Sequence, residues 1–498
     1  MFAGFSDGLG GRFRPETGRT YRPASEAFLQ YMAADRQEGE LFNPVIVWKN
    51  QARDVHPPLY YLLVHLICSL SGGRVSRWQA GVVNILCLLL TLYFLRRTAD
   101  HLGYPPLQSD LLSLFFILSP GILSLSALFR MYCMAMCVTS ATVCVFVRRA
   151  CGKTQEKMFL RELILCSVAG ALTHYYFLIF LTWICLLYLV PFLLRGDWRF
   201  IRRFVITMGK AAVIAIALFP FMIYHIFGGY RGKQSFANAL HAGMKGLQGY
   251  YLILAQDLGG GPVIFTVLVI TGLLLFAMKA LKRKRAISVM SYQFQGLTWT
   301  WTLFAGTVIL YYFTIGRVAV SVSSRYLCLC YPTVILLEFE ILKTFCDRIL
   351  PMSEAWKTLA LTTLLLIILF FGSHDYPYEW LYRGNEAQLD AALGQETYTD
   401  CVYITDCINS GDGWEINGNA LSLDRLASVT FFEDPDAIGK MPELAEKDRL
   451  LLYVSLQDGK ADEETKEQVI RTVIKHCPKL SQSEFVMNEG YASAYILY

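Results

Sequence analysis

The chain has 498 residues, of which 54% are hydrophobic and 17% charged, with a net charge of +5. A soluble protein of this size needs more charge to cover its surface, so the composition argues against a soluble enzyme and for a membrane protein. The 14 cysteines carry little chemistry: most lie in apolar stretches, where cysteine acts as a small hydrophobe, and no CxxC pair offers a thiolate zinc site.

Residues 1–50 hold no apolar run of signal-peptide length. Pro57–Leu70 is apolar but short, and it opens with Pro57-Pro58, which suits a first helical turn. It reads as a helix lying in the membrane interface or re-entering it. Apolar stretches then follow at 79–95, 109–128, 131–147, 162–175, 176–194, 204–227, 262–280, 297–315, 326–345 and 357–373. Most have about 17 residues or more, enough for a helix to cross a hydrocarbon layer of about 30 Å.

Leu163–Leu194 is long for one helix and short for two. Charge favours two, with a break near His174. In that reading, five short loops on one face carry 19 basic residues. They include Arg96 and Arg97, Arg148 to Arg161, Arg195 to Arg203, Lys279 to Arg285, and Lys343 to Lys357. Such an excess marks the cytoplasmic face. Residues 1–76 then form an extracytoplasmic loop, 77–375 a membrane domain of about ten helices, and 376–498 a small extracytoplasmic α/β domain. In this tail Cys401–Thr405, Leu450–Leu456 and Ala492–Tyr498 are strand-like. Asp462–Cys477 has helical spacing, with Val469, Ile470, Val473 and Ile474 on one side. Glu338 and Glu340, near Lys343, read as a neutralised helix end.

Four polar clusters fall on the outer face in this topology: Asp54 and His56; Arg130 and Tyr132; His174, Tyr175 and Tyr176; and Arg325 with Tyr326. Polar groups at membrane depth are costly and face a cavity or a partner. Each also has a plainer role open to it. Asp54 can cap the helix at Pro57, His56 can bond a loop carbonyl, Arg130 can reach lipid headgroups, the His174 cluster can belong to an interfacial aromatic belt, and Arg325 can anchor orientation.

The segment Asp54-Val55-His56-Pro57-Pro58-Leu59-Tyr60-Tyr61 resembles the D-x-H-P-P-L-Y-Y loop of GT-C superfamily glycosyltransferases. Within these it is most similar to bacterial relatives of the protein O-mannosyltransferases and lipid A aminoarabinose transferases. The resemblance continues through His65, Ser76-Arg77-Trp78, Arg130-Met131-Tyr132, Thr173-His174-Tyr175 and Arg325-Tyr326, covering about residues 25–345. It implies a multi-pass bacterial membrane enzyme that passes a hexose or pentose from a polyprenyl-phosphate donor to a protein, lipid or cell-envelope glycan acceptor. It implies no nucleic-acid partner. Asp54 and His56 would be catalytic; Arg130, Tyr132, His174, Tyr175, Arg325 and Tyr326 would bind substrate. Arg130, Arg325 and His56 suit the charge of the departing phosphate. No cofactor is fixed, although a divalent metal is compatible with such a site. The other readings are a non-catalytic membrane partner and a flippase for isoprenoid-linked glycans.

Members of the family usually begin with a further membrane helix followed by an acidic pair that supplies the base. Neither is visible between Met1 and Leu41, where Asp7 is the earliest acid. Asp54, Asp257 and the scattered acids of residues 7–40 are the remaining outer-face carboxylates. The expectation is therefore weak or no activity for this chain as it stands, and activity for a form extended by one helix.

The topology has a direct check. Reporters fused after Lys157 and after Arg285 should both read cytoplasmic, and one fused after Tyr498 extracytoplasmic. Opposite sides for the first two would overturn the two-helix reading of Leu163–Leu194.

Overall fold

The structure is a computed structural model that describes residues 15–22, 39–73, 77–241, 244–284, 297–349, 353–378, 384–394, 400–406, 408, 416, 419, 422–489 and 492–498. It divides into two compact units. One comprises Gln51–Val64 and Arg77–Tyr382; the other joins the described parts of Phe2–Asn50, His65–Ser76 and Arg383–Tyr498. Residues 1–76, a single loop in the sequence reading, are thus shared between units.

The first unit is helical. Helix α1 (Pro44–Arg53), most of which belongs to the second unit, leads to the Asp54 loop and then to α2 (Leu59–Leu70), which belongs to the first unit up to Val64. After them come α3 (Arg77–Leu102), α4 (Pro106–Leu118), α5 (Pro120–Ser126), α6 (Tyr132–Ala150), α7 (Glu156–Ala171), α8 (Tyr176–Arg195), α9 (Trp198–Leu218) and α10 (Phe221–Phe227). The series continues with α11 (Tyr230–His241), α12 (Met244–Asp257), α13 (Pro262–Lys284), α14 (Leu297–Val318), α15 (Ser324–Leu327), α16 (Tyr331–Ile349) and α17 (Glu354–Ser373). Among the described residues, four helices are long and apolar enough to cross a membrane: α3 (from Trp78), α6, α8 and α17. Three bent pairs bring the number to seven if each is one span.

The bends have local causes. Ser119 adopts an extended conformation ahead of Pro120, and α4 and α5 meet at 60°. Pro220 follows the break that turns the chain by 101° after α9. A 95° turn between α12 and α13 runs through Gly260 and Gly261, with φ of +72° and +99°. A β-carbon on Gly260 would also lie 3.0 Å from the Ile368 carbonyl oxygen, so glycine is needed there twice over. Between α7 and α8 the helix does break, at residues 172–175. Gly170 lets the two halves fold together, since a β-carbon there would fall 2.1 Å from the Phe177 ring.

Helices in lipid gain little from the hydrophobic effect when they associate, so small residues and buried polar bonds hold them together. Helix α6 is buried on nearly every side, and its Cys133, Ala135, Cys137, Thr139, Ser140 and Cys144 keep its neighbours close. Asn84 on α3 is 1% exposed and fully bonded. Its Nδ2 donates to the carbonyls of Ser126 (2.9 Å) and Leu128 (3.0 Å), and its Oδ1 accepts the Tyr60 hydroxyl (3.1 Å). One amide therefore ties the start of α2 to α3 and to the turn that leads into Arg130.

The acids near Lys343 differ from the sequence reading. Lys343 pairs with Asp347 at 2.6 Å. Glu340 accepts from Tyr104 at 2.6 Å and Thr344 at 3.2 Å. Glu338 is 3% exposed, and neither of its oxygens has a partner among the described residues.

The second unit contains a six-stranded sheet in the order β1-β3-β2-β4-β6-β5, formed by β1 (Thr20–Tyr21), β2 (Asp400–Thr405), β3 (Ser428–Phe432), β4 (Leu450–Ser455), β5 (Ser483–Glu489) and β6 (Ala492–Leu497). Strands β3, β2 and β4 are parallel; the outer pairings are antiparallel. The helix Glu463–His476 is capped by Asp462, which accepts from the Thr465 amide at 2.9 Å. It lays Val469, Ile470 and Val473 on one face of the sheet. Two residues from near the N-terminus complete an edge of this sheet, with Gly18 donating to the Phe431 carbonyl at 2.8 Å.

Replacing Asn84 by leucine leaves two carbonyls and a tyrosine hydroxyl without their partner. The expected loss is about 2–4 kcal/mol of stability. Thermal unfolding of the detergent-purified variant checks it, and an unchanged midpoint would remove Asn84 from this role.

Candidate active site

All eight site residues expected from the sequence lie in the first unit. Asp54 and His56 sit in the short loop between α1 and α2, with the Asp54 carboxylate 2.9 Å from His56 Nδ1. The carboxylate is not a helix cap: it takes the ring and the Val55 amide. Burial works against its charge, but the His56 hydrogen bond and charge, the Val55 amide and Arg130 outweigh that and hold the carboxyl at about 2. A carboxylate so stabilised is a weak base. It accepts Nδ1–H, so in the neutral form of the ring the lone pair lies on Nε2.

The loop is anchored on three sides. The Leu59 amide donates to the Leu172 carbonyl at 3.0 Å, Tyr60 is held by Asn84, and the Ala52 carbonyl meets His225 at 3.2 Å. From it, aromatic contacts run across to the other clusters. His56 faces Tyr61 at 6.4 Å, and the Tyr61 hydroxyl meets Met131 sulfur at 3.8 Å. Tyr132 lies 5.6 Å from His174, His174 lies 5.2 Å from Tyr176, and Tyr176 lies 5.4 Å from Tyr326. The Arg325 guanidinium sits over Tyr326 at 4.9 Å.

His174 occupies the break between α7 and α8. The Tyr176 amide donates to its Nδ1 at 3.1 Å, so the hydrogen of the neutral ring is on Nε2. With Nδ1 accepting the amide, the ring is neutral and offers Nε2–H as a donor. Tyr175 points elsewhere: its hydroxyl is 2.8 Å from His225 Nδ1.

Arg130 and Arg325 both act electrostatically on His174 and on Tyr132. Arg130 is half-buried in the turn before α6, and Arg325 is half-buried in α15. Neither forms an ion pair with a carboxylate among the described residues, and Arg325 Nε is buried with no partner there. Guanidinium groups held this way are suited to an anionic ligand.

The remaining acids are placed otherwise. Asp257 is 4% exposed and accepts the hydroxyls of Tyr331 and of Tyr376 (2.7 Å). A β-carbon on Gly121 would lie 2.5 Å from it, so its surroundings are tightly packed. Glu16 pairs with Arg19 at 3.0 Å, and Asp7, Glu26, Asp35 and Glu38 lie outside the described residues, as do Ser76, Arg285 and Cys407. His65 belongs to the second unit. Among the described residues no group of three or more His, Cys, Asp or Glu side chains could hold a metal ion.

No family model matches the chain, and no curated protein matches it. Among solved structures it is similar to the crystal structure of ArnT from Cupriavidus metallidurans in the apo state. The TM-score is 0.48 and the identity 12%, over 88% of this chain and 87% of that one.

Asn84 and His225 were not singled out in the sequence, and Tyr60 and Tyr61 entered it only as the end of the Asp54–Tyr61 motif. Asn84 had a signal, a lone amide within an apolar run. His225 had none until its partners were in place.

The state of Asp54 predicts an acid-stability effect. Its folded value lies below the ordinary unfolded value of about 3.9, so its contribution is present above pH ~4 and is lost as pH falls through about 2. The melting-temperature gap between wild type and Asp54→Asn should narrow over that window, and a gap constant from pH 6 to pH 2 would contradict the assignment.

Proposed function

We propose that this chain is a multi-pass membrane glycosyltransferase of about ten spans. It transfers a sugar from a polyprenyl-phosphate donor to an acceptor hydroxyl at the outer face of a bacterial membrane. The observation that carries the reading is the pair of arginines without carboxylate partners, grouped with a neutral imidazole donor near an Asp–His dyad. The residue resemblance in the Asp54–Tyr61 loop and in the Arg130, His174 and Arg325 segments supports it.

In this reading His56 Nε2 takes the proton of the acceptor hydroxyl, so the chain holds a base of its own and transfers sugar, against the weak or absent activity expected from the sequence, and Asp54 steadies the imidazolium through Nδ1–H. The acceptor oxygen attacks the anomeric carbon as the bond from that carbon to the phosphate oxygen breaks. The electron pair leaves with the lipid phosphate, where Arg130, Arg325 and His174 Nε2–H meet the growing charge. A neutral donor has a specific merit here: it binds the anion without adding a third buried cation beside two guanidinium groups. Tyr132, Tyr176 and Tyr326 wall the site with rings on which a sugar face can rest.

The test is transfer from a radiolabelled polyprenyl-phosphate sugar by purified protein in lipid nanodiscs. Arg130→Ala and Arg325→Ala should each lower kcat by about 10²–10³-fold, as removal of a transition-state donor does, with the folded yield unchanged. Asp54→Asn and His56→Ala should abolish transfer. Full activity in an Arg130→Ala/Arg325→Ala double variant would sink the reading.

A further inference from the structure

His225, on α10, is 4% exposed and has no part in the transfer chemistry above. Its Nδ1 lies 2.8 Å from the Tyr175 hydroxyl and its Nε2 lies 3.2 Å from the Ala52 carbonyl oxygen. A carbonyl can only accept, so Nε2 carries the hydrogen. Nδ1 then holds a lone pair, and the tyrosine hydroxyl donates to it. One neutral tautomer satisfies both bonds, and Phe219 packs edge-on against the ring at 5.6 Å.

The two partners mark the importance of this contact. Ala52 stands two residues before Asp54, and Tyr175 directly follows His174. The imidazole therefore bridges the segment that carries the Asp–His dyad and the segment that carries the neutral donor. A second bond joins the same segments beyond the dyad, where the Leu59 amide donates to the Leu172 carbonyl at 3.0 Å. The loop from Ala52 to Leu59 is thus clamped at both ends, one by backbone and one by a side chain.

We infer that His225 is a positioning residue, which fixes the dyad relative to His174 by holding the Ala52 carbonyl and the Tyr175 hydroxyl at once. The inference rests on the transfer reading for its catalytic meaning, while the clamp itself is a statement about the loop. Loss of the His225 end leaves the Leu59 end tied, so the dyad swings while the helices stay packed. Tyr175 on this view is the second half of the clamp and does not contact substrate.

Three variants separate positioning from plain structural support. His225→Phe keeps the ring volume and removes both bonds; His225→Gln keeps an amide donor for Ala52; Tyr175→Phe removes one bond only. Each is measured for kcat and donor KM in nanodiscs, for thermal midpoint, and for hydrogen–deuterium exchange across residues 50–58. His225→Phe should speed exchange at residues 52–56 and lower kcat about 10- to 100-fold, with donor KM changed less than about twofold, because misplaced groups cost rate more than binding. His225→Gln should recover most of that rate, and Tyr175→Phe should fall between. Unchanged exchange in His225→Phe overturns the inference whatever the activity does. Equal loss of rate and of thermal midpoint in the Phe and Gln variants also overturns it, since that is bulk destabilisation. Absence of transfer by the wild type sinks the reaction reading alone, because the exchange measurement still decides the clamp.

Discussion

The side-chain amide of Asn84 is the constraint on which the rest of the site depends. It lies where neither water nor the hydrophobic effect can substitute for its bonds, and it meets both carbonyls and a tyrosine hydroxyl in full. An unpaired amide at that depth would be strongly unfavourable, so the three elements it touches can take only the arrangement that satisfies it. That arrangement puts the Asp54 loop beside the turn that bears Arg130. The electrostatic pull of Arg130 on Asp54 follows from this placement and not from any sequence neighbourhood.

Around that point the chemistry divides by protonation state. Asp54 is held ionised, His174 is neutral because its Nδ1 accepts an amide, and neither guanidinium group has a carboxylate partner among the described residues. Had Asp54 been paired directly with Arg130, both would have been spent on each other. The His56 ring takes the carboxylate instead, which orients the ring and leaves Arg130 available. The break between α7 and α8 is part of the same design. It exposes the Tyr176 amide, which fixes the His174 tautomer, and it exposes the Leu172 carbonyl, which fixes the start of α2.

The second unit follows different physics. Its sheet buries side chains on both faces, with Tyr403 and Tyr453 stacked on neighbouring parallel strands at 5.5 Å. Strand β3 and the irregular β5 escaped the sequence reading for different reasons. Ser428–Phe432 is buried at every position and so lacks alternation, while β5 carries a register shift between Phe485 and Met487 that breaks its period. The two residues of β1 are too few to show any period; they become a strand only because β3 offers them a free edge.

Much was determined by the sequence alone, and the reason is that its signals are local. Apolar run length located most of the long helices, but α3 runs on to Leu102 and α7 begins already at Glu156, and α1, α11 and α12, which are less apolar, were not expected. Helical spacing placed Val469, Ile470 and Val473 on the buried side of their helix. The residue types at Asp54, His56, Arg130, His174 and Arg325 pointed to acid–base and anion-binding chemistry before any geometry was known. Tertiary structure alone decided what each of those groups does. Asp54 became the orienting partner of His56 because burial and Arg130 meet at its carboxylate. Tyr175 turned to His225, Asp257 to Tyr331 and Tyr376, and Lys343 to Asp347. Tautomer, charge state and partner are properties of contacts between residues far apart in the chain, so no local pattern encodes them.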